Sequence, residues 1–376
     1  MEILESVKTL GQARQLCNTN QAEDNQGGIR QSAMKWMTIA NLVRNRKASV
    51  DSDRLYSLYG LLPTSVVQSP GMEPSYSVTA EEAFVDVTYN IMEVSKSLMA
   101  FNFLKRDPNK PAILPSWTPD FRLSPKNTHE SNLRVARETL FNASNNAPFY
   151  LRRLSSNTIL LKGFFIDVIQ QWQNTPVEPN ASLILDACHD AWRETWANTG
   201  PDNAMLQNYI DGTTAETAFR RTMVWDCAPG DREGTLKRLT QSEGLAMFKA
   251  HDAAVELGDV ADYDNYGQEL PAADARRTNY MMDCVKGRAF FITSTQLIGL
   301  TQSNVEAGDH IFIAAGNSHP IVLRPSNKYA DTWQAVSECY LHAFMDGAGM
   351  LNVDKYRFLD GILSKDPALQ ALKGTD

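Results

Sequence analysis

The run Arg277-Thr-Asn-Tyr-Met-Met-Asp-Cys-Val-Lys-Gly-Arg288-Ala-Phe-Phe-Ile-Thr293 opens the part of the chain that decides its fold. Tyr340-Leu-His-Ala-Phe-Met-Asp346-Gly347 closes it. Between them lie Leu297-Ile-Gly-Leu300, Val305-Glu-Ala-Gly308-Asp309-His-Ile-Phe-Ile-Ala-Ala-Gly316 and His319-Pro-Ile-Val-Leu-Arg324-Pro325. Short apolar runs rich in Ile, Val and Phe, each bounded by Gly, Asn, Ser or Pro, read as strands joined by tight turns. The stretch therefore predicts an antiparallel β-meander that curls into a small barrel or an open sheet.

Upstream the pattern is mostly helical. Helices are expected over 1–20 and 31–48, the second ending in Arg44, Arg46 and Lys47, which form either a solvated helix end or an anion site. Asp51 or Asp53 opens a further helix that Gly60 and Pro63 stop, with Tyr56 and Tyr59 three residues apart on one face. Residues 79–103 form a long amphipathic helix capped by Thr79, with Phe84, Val87, Ile91, Val94 and Leu98 on one stripe. Pro111, Pro115 and Pro119 exclude helix and central strand around Trp117, which is either a plug over the core or one wall of a pocket. A helix is expected near 129–145, two short strands about Gly163, and helices near 183–198, 203–210, 214–225, 240–256 and 270–285. The tail over 353–373 also has helical periodicity. The fold class is α+β, a mainly helical body with a C-terminal antiparallel β-meander or barrel. Its segments are 1–150 (helical, with the Pro/Trp stretch), 151–270 (short strands plus helices), 271–350 (β-rich) and 351–376 (terminal helix), gathered in one or two compact units.

Composition narrows the function classes. The net charge of −8 over 376 residues lacks the basic footprint of a nucleic-acid binder. No apolar run is long enough to cross a bilayer, and the N-terminus lacks the basic and apolar regions of a signal peptide. Five scattered cysteines without a Cys-x-x-Cys pair fit reduced thiols in a cytoplasmic protein.

No phosphate loop, dinucleotide fingerprint, zincin helix or nucleophile elbow occurs, so neither cofactor nor metal is expected. Cys188-His189-Asp190 cannot form a triad on a helix, where neighbours point about 100° apart. His310 and His319 flank a hairpin and could approach each other, a weak metal signal. Glu338, Tyr340 and His342 alternate and so share one strand face, with Asp346 just beyond. That face is either solvent-facing or the acid/base wall of a pocket. Arg288 and Arg324 stand at strand ends, where pairing with Asp309 or Asp346 is expected.

Five segments in order carry a resemblance: Asp53-Arg-Leu-Tyr-Ser-Leu-Tyr-Gly60-Leu-Leu62, Leu114-Pro-Ser-Trp-Thr-Pro-Asp120, Leu161-Lys-Gly-Phe-Phe-Ile-Asp167, Ala218-Phe-Arg-Arg-Thr222 and the 277–347 stretch. Over roughly residues 35–350 the chain resembles the region downstream of the HET domain in fungal heterokaryon-incompatibility proteins. The family's N-terminal HET module, similar to TIR folds, is expected to be absent, because only about 35 residues precede the resemblance. Its effector activity is then not carried over. Two functions follow as expectations. One is a cofactor-independent enzyme of specialised metabolism that cyclises or isomerises an apolar small molecule, for example by a Diels–Alder type closure. Trp117, Tyr56, Tyr280 and Arg288 would line its pocket, and His342, Asp346 and Tyr340 would supply hydrogen bonds or proton transfer. The other is a non-catalytic regulatory or binding protein derived from an incompatibility factor.

Overall fold

The computed structural model describes residues 26–104 (save Asn45 and Pro70), 113–123, 137–175, 209–230, 235–240, 242, 244, 249, 272–327 (save Ser303), 331–348 and 361–363. The expected helices over 1–20 and 183–198 fall outside these residues, as do Cys188-His189-Asp190 and all of 203–210 but Tyr209 and Ile210. So do most of 129–145, 240–256 and the tail.

The described residues open with α1 (Gln26–Leu42), α2 (Asp53–Tyr56), α3 (Thr64–Val67) and α4 (Ala80–Ser95). From Ser32 onwards α1 is buried on every side, so it acts as the axis of this body rather than a surface helix. Its expected solvated end is corrected at Arg44. That guanidinium is buried, donates to the Phe103 carbonyl at 3.0 Å and lies 4.8 Å from the Phe121 ring centre. The aromatic face and the carbonyl replace water around a weakly hydrated cation. Ser52, not an aspartate, precedes α2, and Asp51 instead pairs with Arg54 at 3.1 Å.

Helix α4 starts where expected. The Thr79 hydroxyl accepts from the Glu82 amide while Glu82 accepts from the Thr79 amide, a reciprocal cap. It ends eight residues earlier than the stripe suggested, because Lys96 adopts φ 49 and turns the chain left-handed. A buried 3-10 turn, Met99–Phe103, carries the remaining apolar residues. Trp117 is fully buried as a core plug, its Nε1 donating to Asn157 O at 3.2 Å.

The strands are β1 (Leu151–Arg153), β2 (Ile159–Leu161), β3 (Gly163–Asn174), β4 (Cys227–Pro229), β5 (Leu236–Arg238), β6 (Arg288–Thr293), β7 (Ile298–Gln302), β8 (His310–Ala314), β9 (Ile321–Pro325), β10 (Trp333–Leu341) and β11 (Gly361–Leu363). Six of them close a barrel in the order β10-β7-β6-β3-β8-β9. Two hairpins, β6–β7 and β8–β9, form its sides. The long strands β3 and β10 join them, each pairing with one hairpin along its first half and with the other along its second. Register shifts at Phe165/Asp167, Ile169/Gln171 and Ala335/Ser337 bend these two strands round the corners. Two glycines make the closure possible. A Cβ on Gly163 would sit 2.1 Å from Ile313 O, and one on Gly299 would sit 2.2 Å from the Phe291 ring.

Two apolar cores share the barrel. Phe312, Ala314, Ile321, Leu323 and Ala335 pack with α1, α4 and the Trp117 segment. Residues of β6, β7 and the end of β10 pack with α5 (Ala215–Met223) and α6 (Ala272–Val285), for example Phe219 edge-on to Phe290 at 5.4 Å. The expected terminal helix is corrected at 361–363, which pair antiparallel with β2 on the edge opposite β1. An edge of β2 available for pairing outweighs local helical periodicity there. No helix among the described residues is long and apolar enough to cross a membrane.

Candidate functional site

Strand pleating puts Glu338, Tyr340 and His342 on one face of β10, as their spacing implied. Pairing fixes which face. Glu338 is opposite Ile321, which belongs to the core with α1 and α4, and Tyr340 is opposite Leu300, in the core with α5 and α6. The face therefore runs along the outside of the barrel where the two cores meet. It does not meet solvent: Glu338, Tyr340 and His342 are 1%, 2% and 3% exposed. Phe141 and Trp225 cover Tyr340, with ring centres at 6.1 and 6.0 Å, and Tyr209 covers His342 at 5.2 Å.

A hydrogen-bonded chain runs through this seam. Tyr340 Oη lies 2.9 Å from His342 Nδ1, and His342 Nε2 lies 3.0 Å from Asp211 Oδ2. The phenol donating to Nδ1, with Nε2–H donating to the carboxylate, satisfies every member. Asp211 also accepts from the Thr213 amide at 2.9 Å and its hydroxyl at 2.7 Å. Burial pushes the Asp211 carboxyl up, but hydrogen bonds from His342 and Thr213 outweigh it and hold the group well below the usual carboxylate range. Burial drives the Tyr340 phenol far above its ordinary value, so it stays a donor.

Asp346, expected beside His342, is exposed and grips Arg238 instead, at 2.6 and 2.8 Å. The carboxylate that does reach His342 is Asp211, 131 positions earlier. In sequence it is marked only by Asp211-Gly-Thr213, a turn signal that names no partner.

The other expected pocket residues disperse. Tyr56 is half-buried beside Tyr59 and Tyr76, its hydroxyl donating to Ser75 O at 3.1 Å. Trp117 lies in the same core as Tyr59, whereas Tyr280 is in the other core and donates to Val224 O at 3.3 Å. Arg288 does not pair with Asp346. Its guanidinium lies 4.7 Å from the Trp225 ring centre and that of Arg137 lies 4.6 Å from it. Burial alone pushes the Arg288 guanidinium down to about 9, and the indole offsets part of that cost. Trp225 and Asp226 hold φ 56 and 50, a rare backbone for two such residues in succession. Arg221 and Arg238 anchor that turn through Asp226.

Arg324 does take Asp309, through Nε at 2.8 Å and Nη2 at 2.9 Å. His310, at the start of β8, packs edge-on to Trp333 at 4.7 Å, whereas His319 precedes β9 across the hairpin, so the two imidazoles do not converge. His319 instead joins Glu138 and Glu338 in a buried group, the one cluster among the described residues whose donors have the spacing of metal ligands. The described cysteines Cys227, Cys284 and Cys339 are free and buried.

With this geometry established, comparison with known proteins gives one finding. Residues 240–359 match the Het-6 beta-barrel domain. The match supports a HET-related family and covers β6 to β10, but the barrel is completed by β3, which lies outside the matched residues. No curated protein and no solved structure matches the chain.

Proposed function

We propose that the chain is a non-catalytic regulatory protein derived from a heterokaryon-incompatibility factor. It corresponds to the region downstream of the HET domain and acts in the cytoplasm through a protein partner. The observation that carries this reading is that the candidate acid/base groups are hydrogen-bonded to one another inside the seam. Tyr340, His342 and Asp211 form a closed chain beneath Tyr209, Phe141 and Trp225. Buried polar networks of this kind fix one packing arrangement. Here the network fixes the Asp211–Thr213 turn and Tyr209 against the end of β10. The match to the Het-6 barrel supports the family side of the proposal, and the net charge of −8 disfavours a nucleic-acid partner.

The cyclisation reading needs aromatics and a polar pair around one substrate. Trp117 and Tyr280 belong to different cores, and His342 and Asp346 face different partners, so the geometry supports the regulatory reading over it. The test is co-expression with a full-length HET-domain protein in fungal cells, scored for cell death, alongside profiling of small molecules in the same extracts. The proposal expects the wild-type chain to change the death response and to leave the small-molecule profile unchanged. A new cyclised product that disappears in folded Tyr340→Phe and His342→Gln variants would overturn it.

A further inference from the structure

We infer that Glu138, His319 and Glu338 form a binding site for one divalent transition-metal ion, with Zn2+ the best fit. The inference is independent of the regulatory reading. The donors come from three segments that the sequence separates widely: the helical turn at 137–138, the link between β8 and β9, and β10. Their ligand atoms all lie within 4.8 Å of one another, and all three residues are buried. Glu138 Oε2 lies 3.6 Å from His319 Nδ1. That is too long for a hydrogen bond. It is close to the roughly 3.4 Å that separates two donors on a tetrahedral ion bound at about 2.0–2.1 Å. The widest pair would close by up to about 1.4 Å, through rotation of a glutamate side chain.

Chemistry and charge point the same way. Two carboxylates brought this close in a dry interior are costly unless a cation or a proton is shared between them. A divalent ion neutralises both. One imidazole with two carboxylates suits Zn2+, Mn2+ or Fe2+, and Zn2+ leads Mn2+ and Fe2+ in intrinsic affinity for such a site. Both carboxylates are also steadied from outside the cluster, as metal ligands usually are. The Ser97 hydroxyl donates to Glu138 and the Asn102 amide donates to Glu338, whereas the Ser318 hydroxyl, 2.8 Å from His319 Nδ1, would turn away to leave that nitrogen to the ion. Phe141 packs edge-on to the imidazole at 5.2 Å and Trp225 lies 6.1 Å from it, with the buried guanidinium groups of Arg137 and Arg288 against that indole. Ser97 and Asn102 belong to the helical body and Glu338 to the barrel, so a bound ion would clamp one to the other.

The test uses the purified full chain, stripped with a chelator and titrated with Zn2+ and with Co2+. The inference expects one ion per chain, a raised melting temperature, and a visible cobalt d–d band without the near-ultraviolet band of a thiolate ligand. Glu338→Gln keeps the side-chain shape and should weaken binding at least about ten-fold; His319→Ala should abolish the stoichiometric ion. Either of two results overturns the inference: no binding by the wild-type chain at micromolar zinc, or a cobalt spectrum with thiolate bands. Unchanged affinity in a folded Glu338→Gln variant overturns it as well.

Discussion

Replacing Tyr340 by Phe tests the seam at its centre. The substitution keeps the ring between Phe141 and Trp225 and removes only the hydroxyl 2.9 Å from His342 Nδ1. A buried hydrogen bond contributes about 1 kcal/mol net, and leaving the imidazole acceptor without a donor adds about 1–3 kcal/mol. Because the ring packing survives, the expected loss is about 2 kcal/mol. With a urea slope of about 3 kcal/mol/M, the midpoint falls by roughly 0.7 M. Far-ultraviolet circular dichroism and tryptophan fluorescence should follow the same transition. Asp211→Asn, combined with Tyr340→Phe, supplies the coupling. The two residues act on opposite nitrogens of one imidazole, so the double variant should depart from additivity by at least about 0.5 kcal/mol. A Tyr340→Phe midpoint within error of wild type, with strict additivity, would refute the view that this chain of bonds holds the seam.

Gly299→Ala should destabilise by at least about 1–3 kcal/mol, because the new Cβ meets the Phe291 ring at 2.2 Å and Tyr340 O at 2.4 Å. Gly60→Ala, with nothing within 4 Å, should stay within about 0.5 kcal/mol in the same melts. Asp309→Ala removes the buried carboxylate that holds Arg324 in a two-point fork and accepts the Glu306 amide at 2.8 Å. A loss of about 3 kcal/mol by urea unfolding is expected. Burial raises Asp167, but hydrogen bonds from Ser294, Thr293 and Thr295 outweigh it, as those from His342 and Thr213 do at Asp211, and both carboxyls are held below their usual range. Such groups contribute stability that is full above the unfolded value of about 4 and is lost as pH falls through the folded one. Wild type should therefore lose stability as pH drops below about 4, and Asp167→Asn with Asp211→Asn should flatten that slope.

The barrel was legible where local chemistry is enough. The Phe-rich and Ile-rich runs at 288–293 and 310–314, bounded by Gly287 and Gly308 on one side and by Gly316 on the other, became β6 and β8. The reciprocal cap at Thr79 and Glu82 likewise marks α4 from sequence alone. What stayed hidden depends on distance along the chain. Nothing near Gly163 says that β3 will bend between two hairpins, because its bulges answer to strands more than 100 residues later. Lys96 reads as one more helical residue, yet the carboxamide of Asn317 receives the Leu98 amide at 3.0 Å once the chain has turned away. The alternation of Glu338, Tyr340 and His342 gave the shared face, but not Trp225, Phe141 and Tyr209 above it. Asp211 and Glu138, the partners that give the seam its chemistry, carry no spacing signal at all.

Chemical footprinting of His342 tests the closed seam most directly. Diethylpyrocarbonate modifies accessible imidazoles, and peptide mass spectrometry reads the label at that residue. The account predicts that His342, 3% exposed beneath Tyr209 and bonded at both nitrogens, stays unlabelled in the native chain and reacts only once it unfolds. Labelling in the native state at the rate seen in the unfolded chain would contradict it.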